Sequence, residues 1–352
     1  MMKKKAKIIL ALNLTGIIIC STVGVVLYFY YTPIYFGSYP VKQKFFWYAT
    51  WNNLSRDTLY EHYEEIEMIS PVWWHVFENG SIEEDILQFM DKSELFNLMN
   101  FCQDKNISVH PLVSNYNEDF DGNLISVIIN NQTRVSNFIS SANYLLEYYN
   151  CSGINLDFEG VPDTDRVVFT EFLQKVRNEI VSKFTVSIDV PAKTWDYEMG
   201  WGGAFDYEEI GKVCDFVMIM TYDYHYSGSN PGEIAPRTWV RSTLKYACKV
   251  IPHSKIFCGI PLYGYNWPDN GNPTVSAEYS YFANLVEVYG IEPKRCHDSQ
   301  ELHLTYTDSY GTIWNAYYPD TITTIKKEAE INKFPIGGYC YWYLGLEESI
   351  YW

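Results

Sequence analysis

The sequence predicts a closed (β/α)8 barrel (a TIM barrel, fold class α/β) that is preceded by one transmembrane helix. Strand-like and helix-like segments alternate through most of the 352 residues. Eight such strands exceed the usual number in an open doubly wound sheet, so a closed barrel is the better prediction. A basic N-terminus followed by a long apolar run predicts the membrane helix.

The N-terminal segment is predicted to be a signal anchor. Residues 1–7 are rich in lysine, and we expect them to form a cytoplasmic tip. An almost unbroken apolar run follows at 8–31. As a helix this run would span about 36 Å, enough for a bilayer core of about 30 Å. We therefore expect a single-pass membrane protein whose residues from about 35 onward lie outside the cytoplasm. The alternative is a cleaved signal peptide and a secreted protein. Residues 32–43 predict a linker, and 44–352 one domain.

The barrel elements follow in order. Apolar runs predict the strands, and a period of 3.6 residues predicts the helices. The predicted strands are 45–50, 68–77, 107–113, 153–158, 185–190, 216–221, 256–261 and 336–342. The predicted helices are 54–67, 91–105, 127–149, 162–183, 206–212, 239–250 and 322–331. Residues 266–319 are too many for a loop, so we expect a small α+β insertion between strand seven and its helix.

Composition excludes some partners. A net charge of −17 argues against nucleic acid and against anionic membrane surfaces. No Cys or His cluster has the spacing of a zinc site, so we expect no metal and no cofactor. His75, His110, His225 and His253 are scattered, and we expect them to pack or to form hydrogen bonds.

The most informative stretch is residues 152–160, SGINLDFEG, in predicted strand four. Its residues alternate between apolar and polar, so Asn155, Asp157 and Glu159 share one face. A surface edge strand is the alternative, but both flanks of the stretch also predict burial. Two carboxyl groups at positions i and i+2 suit acid/base catalysis, because one can be held protonated beside the other.

Other polar and aromatic groups end the neighbouring strands, at the face where barrels of this kind hold their active sites. They are His110 and Asn115 after strand three, Asp189 on strand five, Tyr222 and Asp223 after strand six, Tyr263 after strand seven and Trp342 at the end of strand eight.

These residues resemble glycoside hydrolase family 18. SGINLDFEG is similar to the family motif DGxDxDxE, and MTYD at 220–223 is similar to its strand-six motif. KIFCGIPLYGYNW at 255–267 and GGYCYWYLG at 337–345 resemble the motifs of strands seven and eight. Residues 204–228 resemble the bacterial spore-germination or cortex-lytic branch. The resemblance covers about 44–352, which it identifies as a catalytic domain.

The resemblance implies a retaining, substrate-assisted hydrolase of β-1,4-linked glycans that contain N-acetylglucosamine, such as chitin oligosaccharides or peptidoglycan. Glu159 is then the general acid and base, and Asp157 orients the acetamido group of the sugar. Tyr222 forms a hydrogen bond to that group, Asp223 contacts the sugar, and Trp342 forms the floor beneath it.

The sequence departs from the family motif at two positions. Ser152 stands where the family has its first aspartate, and Asn155 stands at the second. We expect Asn155 to form hydrogen bonds with Asp157. Asp189 faces inward, and our hypothesis is that it replaces the missing charge. Together with Tyr263 we place Asn155 and Asp189 in the substrate-binding set.

Two other functions stay open. The chain could be a carbohydrate-binding relative without catalysis, or a barrel glycosidase that uses Asp157 as nucleophile. The expected partner is a polysaccharide or oligosaccharide containing N-acetylglucosamine, and we expect a monomer. Four tryptophans in predicted loops could stack on sugar rings: Trp195, Trp201, Trp267 and Trp314.

Overall fold

A computed structural model describes residues 16–21, 24–29 and 42–352 of the chain. The chain divides into two units, Met1–Tyr39 and Pro40–Trp352. The second unit is an eight-stranded parallel barrel surrounded by helices, which confirms the predicted fold class.

The predicted membrane helix at 8–31 is wrong where the structure describes it. Gly16–Ser21 and Gly24–Phe29 are two antiparallel strands, with Gly16 paired to Phe29 and Ser21 to Gly24. Both segments are rich in β-branched and aromatic residues, which favour strands. Within the described ranges no helix is long and apolar enough to cross a bilayer, so the predicted membrane-anchored location is contradicted. The predicted tip at 1–7 and most of the linker at 32–43 lie outside the described residues.

Eight strands form the barrel, here numbered β1 to β8. Their bounds are Gln43–Tyr48, Met68–Val76, Leu112–Ser114, Gly153–Asp157, Thr185–Pro191, Phe216–Met220, Ile256–Pro261 and Gly338–Trp342. Each strand pairs in parallel with the next, and β1 pairs with both β8 and β2, which closes the sheet. A short segment, Ser108–Val109, precedes β3 and pairs with β2.

The barrel interior is filled by large side chains at its lower levels. The strands alternate, so every second residue points inward. The inward cluster consists of Phe45, Trp47, Met68, Leu112, Met218, Phe257 and Cys340. This apolar layer borders the polar inward residues, since Trp47 donates a hydrogen bond to Asp189 of β5.

Helices connect the strands on the outside. Their bounds are Asn53–Glu61, Lys92–Asp104, Gly122–Ile129, Gln132–Tyr148, Arg166–Glu179, Tyr207–Val213, Arg237–Val250, Tyr279–Tyr289 and Thr321–Ile331, here α1 to α9. The predicted helix 127–149 is in fact two helices. Asn131 breaks it, since its side chain accepts hydrogen bonds from the first N–H groups of α4.

The long interval after β7 is an antiparallel sheet with one helix, α8. Its strands are Gly264–Pro268, Val275–Ala277, Lys294–Arg295, Leu302–Thr307 and Ile313–Tyr318. The ring of Phe282 on α8 stacks on Tyr318 at 4.5 Å, and both belong to a separate apolar core. This insertion therefore has a core of its own.

Two buried glutamates that lie outside the barrel interior form ion pairs with basic side chains. Glu301 of the insertion is fully buried, and Lys327 Nζ lies 2.6 Å from its carboxylate. The N–H groups of Ile234 and Ala235 also donate to Glu301, at 2.7 and 3.0 Å. Glu330 on α9 is held by Arg241 at 2.6 Å. These contacts fasten the insertion and α9 to the loop and helix that follow β6.

Candidate active site

The carboxyl ends of the strands bring most of the predicted site residues together. Asp157 is the last residue of β4 and Glu159 follows it at the rim. Asp189 lies in β5, and Tyr222 and Asp223 follow β6. Parallel strands in a barrel end at one face, so these groups converge on one cleft.

Glu159 lies at the rim of the barrel, and protein atoms surround most of its carboxyl group. Burial raises its pKa well above the usual value, and the neighbouring carboxyls of Asp157 and Asp223 raise it further. Hydrogen bonding from Trp201 opposes the shift. The raised pKa keeps Glu159 protonated at a higher pH than an exposed glutamate, so it can donate a proton.

Asn115 holds the backbone of Glu159 at two points. Its Nδ2 donates to the Glu159 carbonyl oxygen at 2.8 Å, and its Oδ1 accepts from the Glu159 N–H at 2.9 Å. The side chain of Asn115 is almost fully buried. Sequence analysis named Asn115 only as a polar residue after strand three, since nothing in a single sequence indicates this contact.

Asn155 does not support Asp157 in the predicted way. Its Nδ2 donates to Asp189 Oδ2 at 2.9 Å, and its Oδ1 accepts from the Ser187 hydroxyl at 2.7 Å. Trp47 Nε1 also donates to Asp189 Oδ2, at 3.2 Å. The expected hydrogen bond from Asn155 to Asp157 is thus replaced by one across to β5, because the register pairs Asn155 with Ser187.

Asp157 and Asp189 are buried carboxyls, and among the described residues no lysine or arginine forms an ion pair with either. Burial raises the pKa of Asp157 well above its usual range, and Asp189 raises it further. Burial also raises the pKa of Asp189, while its hydrogen bonds from Asn155 and Trp47 act in the opposite direction. Both groups therefore favour their neutral forms more than ordinary aspartates do.

Tyrosines hold Asp223 at the rim. Tyr263 donates a hydrogen bond to Asp223 Oδ1, and Tyr265 donates to the same oxygen at 3.1 Å. The backbone of Asp223 has a φ of 60°, an uncommon conformation for a residue other than glycine. Tyr222 packs edge-on against Tyr263 at 6.2 Å. Tyr263 therefore holds Asp223 in place and itself lines a cavity with it.

Trp342 ends β8 and packs on the interior aromatics. Its ring lies 5.5 Å from the ring of Trp47, in an edge-on arrangement. The peptide bond between Trp342 and Tyr343 is cis. Trp342 is partly exposed, and it lines a cavity of about 130 Å³ together with Asp223, Tyr263 and Tyr265.

A larger cavity of about 750 Å³ adjoins Glu159 and Asp223. Its walls come from the loops after β3, β5 and β6. The lining residues are Asp119, Phe120, Glu159, Pro191, Ala192, Tyr197, Trp201, Met220, Tyr222, Asp223, Tyr226, Ser227 and Trp239. Asp223 borders both cavities, so the two adjoin at this residue.

The predicted aromatic platforms divide into two groups. Trp195 and Trp201 are exposed in the loop after β5, and Trp201 lines the larger cavity. Trp267 is buried in a strand of the insertion, and Trp314 lies in another strand of the same sheet. The prediction of a loop position was wrong for Trp267 and Trp314, because the insertion has more sheet than its Asn- and Pro-rich start indicates.

The histidines have structural contacts. His110 is buried, with Nδ1 at 3.0 Å from the hydroxyl of Thr185, and burial lowers its pKa to about 4. Nδ1 of His225 and Nε2 of His253 lie 3.0 Å from backbone carbonyl oxygens. Across the described part of the chain, no three His, Cys, Asp or Glu side chains are grouped to hold a metal ion.

The pattern of Glycosyl hydrolases family 18 matches residues 31–347. The chain belongs to glycoside hydrolase family 18. It is therefore a glycosidase by family, as its motifs on β4, β6, β7 and β8 indicate.

Relatives with this family 18 fold include Bacillus glycosylases. The chain is 31% identical over 260 residues to the uncharacterized glycosylase YvbX of Bacillus subtilis, covering 72% of this chain and 76% of that protein. It is 32% identical over 235 residues to the cortical fragment-lytic enzyme of Bacillus anthracis, covering 65% of this chain but only 55% of that enzyme.

Solved structures share the family 18 barrel. The spore cortex-lytic enzyme SleL of Bacillus cereus superposes with a TM-score of 0.79 at 25% identity, covering 87% of this chain and 71% of that one. A chitinase of Chromobacterium violaceum superposes with a TM-score of 0.80 at 20% identity, covering 88% of this chain and 96% of that one. The second likeness concerns the fold alone.

Proposed function

We propose that the chain is a retaining, substrate-assisted hydrolase of β-1,4-linked glycans that contain N-acetylglucosamine, with Glu159 as general acid and base. One observation carries the proposal. Glu159 is an acid with a raised pKa, and it lines the larger cavity, which shares Asp223 with the smaller one. A glycosidic bond held in the larger cavity beside Glu159 would present its oxygen to the acid.

The first step is proton donation. Glu159 donates its proton to the glycosidic oxygen as the bond from that oxygen to the sugar's C1 breaks. The acetamido oxygen of the same sugar attacks C1 and forms a cyclic oxazolinium ion. Glu159, now ionised, takes a proton from water, and the water oxygen bonds to C1 as the bond between C1 and the acetamido oxygen breaks, so the two steps together retain the configuration at C1. The acid is thereby regenerated.

The neighbouring groups hold the acetamido group during this sequence. Asp157 orients the acetamido N–H and stabilises the positive charge of the intermediate. Tyr222 donates a hydrogen bond to the acetamido group, and Asp223 contacts a sugar hydroxyl. Trp342 supports the apolar face of the reacting sugar. All these groups come from one barrel, so the proposal needs only a monomer.

The negative charge of the cleft limits the kinds of glycan that we expect it to bind. The residues that line the two cavities include Asp119, Glu159, Asp223 and Glu278, and none of them is a lysine or arginine. Such a cleft favours uncharged or cationic glycans and repels carboxylate-bearing ones. We therefore expect chitin oligosaccharides, or peptidoglycan whose muramic carboxyl is closed into a lactam, to react faster than ordinary peptidoglycan.

The competing use of Asp157 as a nucleophile conflicts with its environment. A nucleophilic carboxylate has to be ionised and exposed to the sugar. Asp157 is 95% buried, and its surroundings disfavour the ionised form. These facts support a positioning role, and inhibition by a thiazoline analogue of the oxazolinium ion would support it further.

The test is a digest panel with mass analysis of the products. The substrates are chitin oligomers and peptidoglycan strands with and without the muramic lactam, and the proteins are wild type, Glu159→Gln and the matched control Glu171→Gln on the outer face of α5. We expect the rate to fall by about 10²–10⁴ in Glu159→Gln and to stay unchanged in Glu171→Gln. A wild type that binds these glycans but releases no reducing ends would instead be a carbohydrate-binding protein.

A further inference from the structure

The loop after β5, residues 192–206, carries Trp201 to the larger cavity beside Glu159. Trp201 lines that cavity together with Glu159 and is 55% exposed. Its ring lies against the backbone of Gly160, since a Cβ built on Gly160 would meet two ring carbons at 3.2 and 3.3 Å. Gly160 has a φ of 67°, a conformation that favours glycine. The indole therefore contacts the residue directly after the acid.

A buried lysine holds this loop closed. Lys193 is fully buried, and its Nζ donates to the carbonyl oxygens of Tyr197 and Phe205 at 2.9 and 2.8 Å. The ring of Tyr197 also lies 4.5 Å from the same Nζ, a cation–π distance. Tyr197 and Phe205 lie on either side of Trp201 in the chain, so Lys193 ties the two sides of the loop together.

The backbone next to Trp201 is fixed from the start of α5. Asp163 Oδ2 accepts from the Gly200 N–H at 2.8 Å, and Arg166 Nη1 donates to the Gly203 carbonyl oxygen at 3.0 Å. Gly203 packs so closely that a Cβ there would lie 2.5 Å from the Cβ of Asp163. Contacts of the loop backbone, and not burial of the indole, therefore set where Trp201 lies.

Glu159 is surrounded by acidic and phenolic groups. The titratable groups around it, or in the walls of its cavity, are Asp119, Asp157, Asp189, Asp223, Tyr197, Tyr222 and Tyr226. None of these can carry a positive charge, and each carboxylate among them makes ionisation of Glu159 harder. Trp201 donates a hydrogen bond to the Glu159 side chain, which favours the ionised form instead. An indole N–H donates but does not accept, so it cannot take the proton that Glu159 uses.

We propose that Trp201 is a positioning residue of the reaction, whose indole N–H holds the carboxyl of Glu159 toward the cavity and stabilises the anion that proton donation leaves behind. When Glu159 gives its proton to the glycosidic oxygen, a negative charge forms among other acids. The N–H dipole is already aimed at that charge and is held there by the loop, so it needs no reorganisation. The hydrogen bond weakens again when Glu159 takes a proton from water. This role rests on the proposed function.

The kinetic test is the pH dependence of turnover by Trp201→Phe on a chitin oligomer. Phenylalanine keeps an aromatic ring on Gly160 and removes the N–H. We expect kcat to fall by about 3–10-fold and KM to stay within about twofold, because the lost interaction is with the acid and not with the bound sugar. The alkaline limb of kcat/KM, set by Glu159, should move up by about 0.5–1 pH unit, since the carboxylate loses a donor. An unmoved limb, or a change in KM alone, would overturn the proposal.

A matched control in the same loop separates the N–H from the loop as a whole. Met199 lies two residues before Trp201 and is 81% exposed. Met199→Ala should leave kcat and KM unchanged and keep the alkaline limb within about 0.2 pH units, because it removes no donor from Glu159. If Met199→Ala moves the limb as far as Trp201→Phe does, the loop and not the indole N–H controls Glu159, and the proposal fails.

A second measurement does not depend on turnover. In nitrogen–proton NMR spectra the indole N–H signal of Trp201 is the one that is missing from Trp201→Phe. This signal should shift with pH as Glu159 ionises, and the shift should disappear in Glu159→Gln. A signal that does not respond to Glu159 would overturn the proposal even if the protein hydrolyses glycans. A signal that responds in a protein without hydrolase activity would refute the proposed function and leave the contact between Trp201 and Glu159 in place.

Discussion

The molecule buries its acids in two different ways. At the contact between the insertion and the barrel, Glu301 is fully buried and has a lysine 2.6 Å away. In the barrel, Asp157 and Asp189 are also buried, and no lysine or arginine in the described part of the chain forms an ion pair with them. The lysine and the two backbone N–H groups hold Glu301 in a structural ion pair, whereas burial without such a partner raises the pKa of Asp157 and of Asp189. The difference indicates which acids serve structure and which serve chemistry.

Replacing the acid by its amide should raise Tm at Asp157 and lower it at Glu301. The accompanying loss of kcat at Asp157 is the largest effect we expect. Asp157→Asn should lower kcat on chitin oligomers by about 10²–10³. It should also raise Tm at pH 8 by about 2 °C, because an acid with a raised folded pKa loses stability as the pH rises above its unfolded value. Glu301→Gln should keep kcat and lower Tm. An Asp157→Asn protein that melts earlier at pH 8 would contradict the comparison.

Breaking the paired site should cost much stability. Lys327→Met leaves Glu301 buried without its cation, and we expect a loss of about 3–5 kcal/mol in the free energy of unfolding. Lys326→Met is the matched control, since Lys326 is the neighbouring residue on α9 and is exposed. Urea denaturation measures both. Equal losses in the two variants would mean that the pair contributes nothing specific.

The smallest effect concerns the acid side of the pH range. Hydrogen bonding from Arg241 lowers the pKa of Glu330 to about 2. Its contribution is therefore complete above the unfolded pKa and is lost as the pH falls from about 4.5 to about 2. Because Arg241 and Lys333 are 38% and 61% exposed, solvent screening reduces the contribution to about 1 kcal/mol. The stability difference between wild type and Glu330→Gln should vanish across this interval, as followed by urea denaturation at several pH values.

The alternation of eight strand-like segments with helix-like segments was enough to predict the barrel, and the alternation of residues along one strand predicted the inward face of β4. Alternation along β5 likewise predicted that Asp189 faces inward, because this prediction needs only the residues of one strand. Partners across strands were not predictable, since the hydrogen bond from Asn155 to Asp189 depends on the register between β4 and β5. Trp47 was missed for this reason too: an apolar strand residue gives no sign that its N–H meets a carboxyl. The apolar N-terminal run misled because hydrophobic length alone does not distinguish a helix from paired strands.

The two hydrogen bonds between Asn115 and Glu159 affect how freely the loops of the cleft can vary in length and sequence. With one side chain, Asn115 forms the two hydrogen bonds that the backbone of a neighbouring strand would otherwise form with Glu159. Glu159 lies past the last residue of β4, at the start of a loop, yet its backbone is tied like that of a strand residue. The loops around it can therefore lengthen, shorten or acquire new aromatic residues for new glycans while the proton donor stays in place.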